Sequence, residues 1–152
     1  MVLGKVLELY IAPIDTSGVR EAKESIELIK DIGIKDDKFA NKEINRSVMI
    51  VGKKPYNMAK ESSIALPSSA LGENILLDFN PHTLSPGTIL SIGSAKIQIT
   101  SACTLCKHLT KYSPKLPKLI VNDRGVYCRV IKSGIIKKDD IVKEDDIVKE
   151  DV

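Results

Sequence analysis

The chain has 152 residues, 43% of them hydrophobic and 28% charged, with a formal net charge of +3 from 23 basic and 20 acidic side chains. That length accommodates one domain with one core, and the composition is that of a folded globular protein rather than a disordered one. The small net charge excludes a chain-wide field that would recruit nucleic acid or a membrane surface. No apolar run approaches the roughly 18 to 20 residues of a membrane span, and Met1-Val2-Leu3-Gly4-Lys5 lacks the charged start and long apolar stretch of a signal peptide. A cytoplasmic location with three reduced cysteines is therefore expected.

Val6 to Ile11 alternates loosely and stops at Ala12-Pro13, which predicts an opening strand ended by proline. Asp15-Thr16-Ser17-Gly18 supplies cap-type residues, and Val19, Ala22, Ile26, Leu28 and Ile29 approximate one apolar helical face, so a helix is predicted through Lys30. Ser47 to Val51 is short and apolar and runs into Gly52-Lys53-Lys54-Pro55, the pattern of a buried strand leaving through a turn. Residues 56–66 suit a short helix.

From Ile75 onward the pattern is β throughout: Ile75 to Leu77, Thr88 to Ile92, Lys96 to Thr100 and Gly125 to Ile131, separated by Asn80-Pro81, Pro86-Gly87, Gly93-Ser94 and Ser133-Gly134. Closely spaced strands without crossover helices predict a barrel or sandwich rather than a parallel βαβ sheet. The end of the chain repeats Lys-Asp-Asp-Ile-Val-Lys as Glu-Asp-Asp-Ile-Val-Lys, over residues 138–149. Two copies of a six-residue unit build no solenoid, so the repeat reads as a duplicated last strand or a solvated tail.

Chemistry concentrates in Cys103-Thr104-Leu105-Cys106-Lys107-His108. Cysteine reacts as thiolate, and adjacent positive charge lowers a thiol's pKa from about 8.5. A redox dithiol, half of a zinc site and a sulfur-transferring or metal-ligating thiolate all fit two cysteines at this spacing. The redox reading asks for a βαβ context that is missing here. A structural zinc site asks for four ligands, and only Cys128, His82 and His108 remain, at irregular spacings. Inert thiols buried at a strand end are the bland alternative. Lys107, His108, Lys111, Lys115 and Lys118 make the segment basic, which suits an anionic ligand or, equally, a solvated surface.

Other polar residues are double-edged in the same way. Arg46, just before an apolar strand, can grip a phosphate or carboxylate bidentately, or pair with Asp37 or Glu43. Glu73 and Asn74, after Gly72, can line a pocket or satisfy turn backbone. Asn122-Asp123-Arg124-Gly125 is a hairpin turn in which Arg124 is a secondary anion-binding candidate.

The run Gly72-Glu73-Asn74-Ile75, then 84–95 (Leu-Ser-Pro-Gly-Thr-Ile-Leu-Ser-Ile-Gly-Ser-Ala), then the cysteine segment, then 124–130 (Arg-Gly-Val-Tyr-Cys-Arg-Val) and 134–140 (Gly-Ile-Ile-Lys-Lys-Asp-Asp) closely resembles the MOSC domain, named for the C-terminal domain of molybdenum-cofactor sulfurase. Gly33-Ile34-Lys35-Asp36-Asp37 and Arg46-Ser47-Val48 resemble its upstream Gly-Ile-x-Gly-Asp and Arg-Gln-Val elements. The resemblance spans about residues 5–142 and leaves 143–152 as a charged tail. It implies a mostly β (α+β) fold, a MOSC-like β-barrel with one or two short helices packed outside, and a cleft with a reactive cysteine.

The resemblance also implies molybdenum cofactor (molybdopterin) binding, sulfur transfer, or both. Cys106 matches the family cysteine as persulfide carrier or molybdenum ligand, and Cys103 resembles a second upstream cysteine of small members. Arg46, Lys107 and Arg124 would hold the cofactor's phosphate, with Asp37, Glu73, Asn74 and His108 in the same cleft. A non-catalytic delivery module and a component of a molybdenum-dependent reductase of N-hydroxylated compounds are the alternatives. The chain has no room for a pyridoxal-phosphate desulfurase domain and no identifiable lysine site for that cofactor, so a cysteine desulfurase or molybdoenzyme partner is expected.

Three positions depart from the family pattern. Asp36 replaces the second glycine of Gly-Ile-x-Gly-Asp, so a turn that uses positive φ must be made by aspartate, which tolerates it better than most residues. Phe39 stands where a polar residue is usual, and Cys128 stands where small apolar residues are common, on a predicted strand, as a structural residue.

Overall fold

A computed structural model describes residues 1–14, 20–104 and 107–145, excepting the side chains at 107 and 108. The strands are β1 (Val2–Ile11), β2 (Glu21–Lys23), β3 (Ser25–Ile29), β4 (Gly33–Ile34), β5 (Val48–Gly52), β6 (Ile75–Leu77), β7 (Ile89–Ile92), β8 (Ala95–Ala102), β9 (Val126–Lys132), β10 (Gly134–Lys137) and β11 (Ile141–Glu144). Two short helices, α1 (Lys54–Glu61) and α2 (Leu116–Leu119), lie among them, with 3-10 turns at Ile44–Arg46, Pro81–Thr83 and Lys107–Lys111.

Seven strands close a barrel in the order β11-β7-β8-β9-β5-β6-β1, β1 returning to pair antiparallel with β11, while β2 hangs on β1. Closure removes the exposed edges that an open sheet would leave. The mostly β barrel expected from the sequence is present. A second sheet, β10-β3-β4, covers one side.

Alternation explains most of these strands. In β8, Ala95, Ile97 and Ile99 turn into the barrel while Lys96, Gln98 and Thr100 turn out, and β9 buries Val126, Cys128 and Val130 in the same rhythm. Strand β5 is different because it is apolar throughout and buried on both faces. Val48 and Ile50 join the barrel core, whereas Met49 and Val51 join a second cluster with Ala59 of α1, Leu116 of α2, Leu71, Cys103, Leu109 and Ile120. The run Val-Met-Ile-Val is the sequence signature of a strand covered on both sides. Its pairing with β6 is parallel, through the α1 crossover, the one parallel pair among the described strands.

The helix predicted through Lys30 is replaced by β2 and β3. Its cap residues, 15–19, lie outside the described residues. Beyond them Ala22, which the helical face required, is exposed, while Ile26 and Leu28 are buried between exposed Ser25 and Glu27. That is a period of two, and β10 supplies the partner that settles it: Ile136 pairs with Ile26 and Gly134 with Leu28. A β-branched stretch follows whichever ladder the tertiary structure offers. In the terminal repeat, the first Ile-Val-Lys lies in β11, where Val142 is buried opposite Gly4 and Ile92, and residues 146–152 lie outside the described residues. No helix among the described residues is long and apolar enough to cross a membrane.

Candidate functional site

A cavity of about 850 Å³ opens on the outer side of β5, floored by Met49. Its walls come from the end of β1, the chain entering β2, the loop from β4 to β5, the loop from α1 to β6, the end of the 3-10 turn at Lys107–Lys111, and the start of β9. Among the described residues, six cations line it (Arg20, Lys38, Lys42, Arg46, Lys111 and Arg124) against one carboxylate, Glu43. A concave wall with that imbalance concentrates anions.

Arg20 is the centre of the site. Its guanidinium carbon lies 5.6 Å from the Phe39 ring centroid, a cation–π distance. Gly72 lies beside it: its φ is +85°, and an added Cβ would stand in ordinary contact, 3.6 Å from Arg20 Nη2. Glycine therefore supplies the backbone conformation. Burial lowers the pKa of Arg20, while Asp37 and Glu73 favour its charge and Arg124 opposes it. Arg20 Nη1 is buried with no hydrogen-bond partner among the described residues. A guanidinium donor out of reach of water and protein is a costly group unless a ligand satisfies it.

The sequence-predicted residues divide around this centre. Arg46, Asn74 and Arg124 line the cavity. Arg46 stacks over Tyr127 at 5.4 Å and lies 3.9 Å from Glu43, one of the two carboxylates, Asp37 and Glu43, that the sequence offers it as partners. Arg124 is buried and donates from Nη1 to the Leu71 carbonyl. Asn74 lines the wall with a side chain already engaged: Oδ1 accepts from Met49 N–H at 3.0 Å, and Nδ2 donates to the Tyr10 carbonyl at 3.2 Å and to Asp37 Oδ1 at 3.4 Å.

Asp37 and Glu73 stand behind the wall. Asp37 Oδ1 accepts from Ala12 N–H at 2.7 Å and Oδ2 from Phe39 N–H at 3.1 Å, which ties the loop after β4 to the end of β1. Asp36 makes the preceding turn at φ +68°, the conformation that its missing glycine implied. Glu73 is fully buried and takes the Tyr56 hydroxyl at 2.8 and 2.6 Å from its two oxygens. Burial raises the pKa of Glu73, against the lowering effects of Tyr56, Arg20 and Arg124.

Cys103 is buried in the second cluster, where its Sγ–H donates to Tyr127 Oη at 3.4 Å. Burial and that partner push the Tyr127 phenol up to about 12, so the ring lines the cavity as a neutral phenol. Cys128 is fully buried inside the barrel and burial pushes its thiol up, as a structural residue. Cys106 lies outside the described residues, as do the side chains of Lys107 and His108. Among the described residues no group of three or more His, Cys, Asp or Glu is placed to hold a metal ion.

Sequence reasoning passed over Arg20, Lys38 and Lys42. Arg20 falls in the segment read as a helix, and no local pattern marks an arginine that folds back over Gly72.

The turn carrying Arg124 is held by a polar cluster of its own. Gly125 N–H donates to His82 Nε2 at 2.9 Å, Asn80 Nδ2 donates to Asp123 Oδ1 at 3.1 Å, and Lys54 Nζ lies 3.5 Å from the same oxygen. Gly125 has φ +126°, and a Cβ there would strike Met49 Cε at 2.6 Å, so glycine lets the turn close on β5. Burial lowers the pKa of His82, consistent with Nε2 acting as an acceptor. Its stabilising contribution is present above the unfolded histidine pKa of about 6.5 and is lost as pH falls toward the lower folded value. Urea titrations at pH 7.5 and 5.5 are expected to show a loss of stability at the lower pH that is smaller in His82→Gln.

No curated protein sequence matches this chain. Solved structures do match its fold. The YuaD protein of Bacillus subtilis superposes with a TM-score of 0.73 at 19% identity, covering 91% of this chain and 93% of that one. YiiM of Escherichia coli gives 0.68 at 17% identity, with 93% and 69% covered, and YiiM of Geobacillus stearothermophilus gives 0.67 at 16%, with 96% and 75% covered. The MOSC domain family model matches residues 36–143, which take in the loop after β4, the Gly72-Glu73-Asn74 turn, the Arg124 turn and the barrel strands through β11. The chain thus belongs to the MOSC domain family, which is associated in general with molybdenum cofactor binding.

Proposed function

We propose that this protein binds the molybdenum cofactor in the Arg20 cavity and carries sulfur to or from it on Cys106. The observation that carries the binding half is the donor set: among the described residues, six cations against one carboxylate, with the buried Arg20 Nη1 lacking a partner there. A pterin phosphate fits that set, because guanidinium groups match phosphate oxygens in geometry as well as charge. Arg20, Arg124 and Arg46 would take the anionic end, while the faces of Tyr127 and Phe39 suit a planar ring. The bound cofactor supplies a molybdenum centre; this chain's residues orient it and keep solvent from one side.

The sulfur half is supported by elimination among the thiols. Cys128 is sealed in the barrel and Cys103 is buried behind Tyr127, which leaves Cys106, beside Lys107, as the reactive candidate. In the transfer, the Cys106 thiolate attacks the outer sulfur of a donor persulfide, and the donor cysteine leaves as thiolate. A cysteine desulfurase is the donor whose chemistry fits, with a molybdoenzyme as the receiving partner. Mass spectrometry after incubation with a desulfurase and cysteine is expected to show an adduct of about 32 Da, one sulfur atom, that is absent in Cys106→Ala. An unmodified wild type would sink the carrier role. Molybdopterin titration tests the binding half separately: affinity that falls steeply with salt is expected from a charge-lined cavity.

A further inference from the structure

We infer that Glu73 is a positioning residue that couples anion binding to proton uptake, the cavity gaining a proton on Glu73 as an anion settles on Arg20 and Arg124. The inference rests on the anion-binding reading above and adds a regulation to it.

Glu73 has no exposure to solvent, and one hydroxyl, that of Tyr56, serves both of its oxygens at 2.8 and 2.6 Å. A single O–H can donate to one oxygen at a time, and the other donor acting on the carboxylate is Glu73's own backbone N–H, so the buried charge leans on nearby positive groups. The groups that act on it are Tyr56 from α1, its own backbone N–H, Arg20 from the chain entering β2 and Arg124 from the turn before β9, and its charge in turn raises the pKa of Tyr10 in β1. Asp37, from the loop after β4, favours the charge of the same Arg20 guanidinium. Arg20 lies beside Gly72, the residue adjoining Glu73, and Arg124 holds the Leu71 carbonyl two residues before it.

A ligand anion and the Glu73 carboxylate therefore draw on the same two guanidinium groups across a low-dielectric wall. When the anion arrives, the positive potential that favours the ionised form of Glu73 is neutralised and the carboxyl's affinity for a proton rises. Conversely, ionising Glu73 weakens the anion's hold. The sign follows: anion affinity is highest where Glu73 is protonated and falls as pH rises through its ionisation.

Sulfate is the probe, because its own charge is constant between pH 6 and 9. Calorimetric titration of the full chain in buffers of different protonation enthalpy, at fixed ionic strength, is expected to show proton uptake on binding. Affinity should fall by up to about tenfold per pH unit, the limit for one linked proton. In Glu73→Gln both the uptake and the slope disappear. Tyr56→Phe provides a second reading, since losing the donor that favours the ionised form should move the fall in affinity to higher pH. A purely structural Glu73 would change stability in these variants and leave the slope alone. The inference is overturned by a Glu73→Gln protein that keeps the wild-type slope, or by a wild type that binds sulfate without pH dependence or not at all. Failure of the cofactor reading would show separately, as absent molybdopterin binding.

Discussion

Arg20→Ala is expected to weaken molybdopterin binding by about 30-fold or more while leaving the unfolding midpoint close to wild type. A charged hydrogen bond removed from a buried ligand is worth about 1.5 to 3 kcal/mol, and 2 kcal/mol corresponds to about 30-fold in affinity. Arg20 belongs to neither apolar cluster, so its loss opens no hole in the barrel. Isothermal titration and urea denaturation on the same preparation check both halves. Equal affinity in the two proteins would remove Arg20 from the site.

Asn74→Ala is expected to destabilise the chain by about 3 to 5 kcal/mol, the larger structural effect. The amide bridges β1 and β5 where backbone pairing gives out, and its loss leaves the Met49 N–H and Tyr10 carbonyl unpaired and buried. Each stranded group costs about 1 to 3 kcal/mol. At this chain length the change corresponds to roughly 10 °C in midpoint. Aspartate would keep the acceptor for Met49 N–H but set a second carboxylate against Asp37, so Asn74→Asp should not rescue. A residue serving only as a ligand contact would give the reverse outcome, with binding lost and stability kept.

The Asn74 prediction turns on how a residue recognised in the sequence differs from the use the fold makes of it. Asn74 reads as a pocket residue or a turn residue, and it is both, because the wall of the cavity is itself the seam between β1 and β5. Asp37 reads as a cleft residue, yet its oxygens hold the Ala12 and Phe39 amides and it reaches the site by favouring the charge of Arg20. Phe39 reads as a lost polar group, and in the structure it is the platform for Arg20 and Lys38. In each case the residue type was visible and its partner was far away in sequence.

The sequence by itself determined the barrel strands whose burial alternates and the double-sided burial of β5, because inward and outward faces impose a period of two and a covered strand imposes none. It also determined one turn: aspartate at 36, standing in for glycine, marks backbone that takes positive φ. Only the tertiary structure decided that residues 21–29 form strands, since Ile26 and Leu28 suit either period until β10 offers a ladder. The anion site was decided there too. Arg20, Arg46 and Arg124 converge from segments more than a hundred residues apart at the extremes, and no local pattern records that convergence, because like charges are brought together by the barrel's closure and held by carboxylates buried behind them.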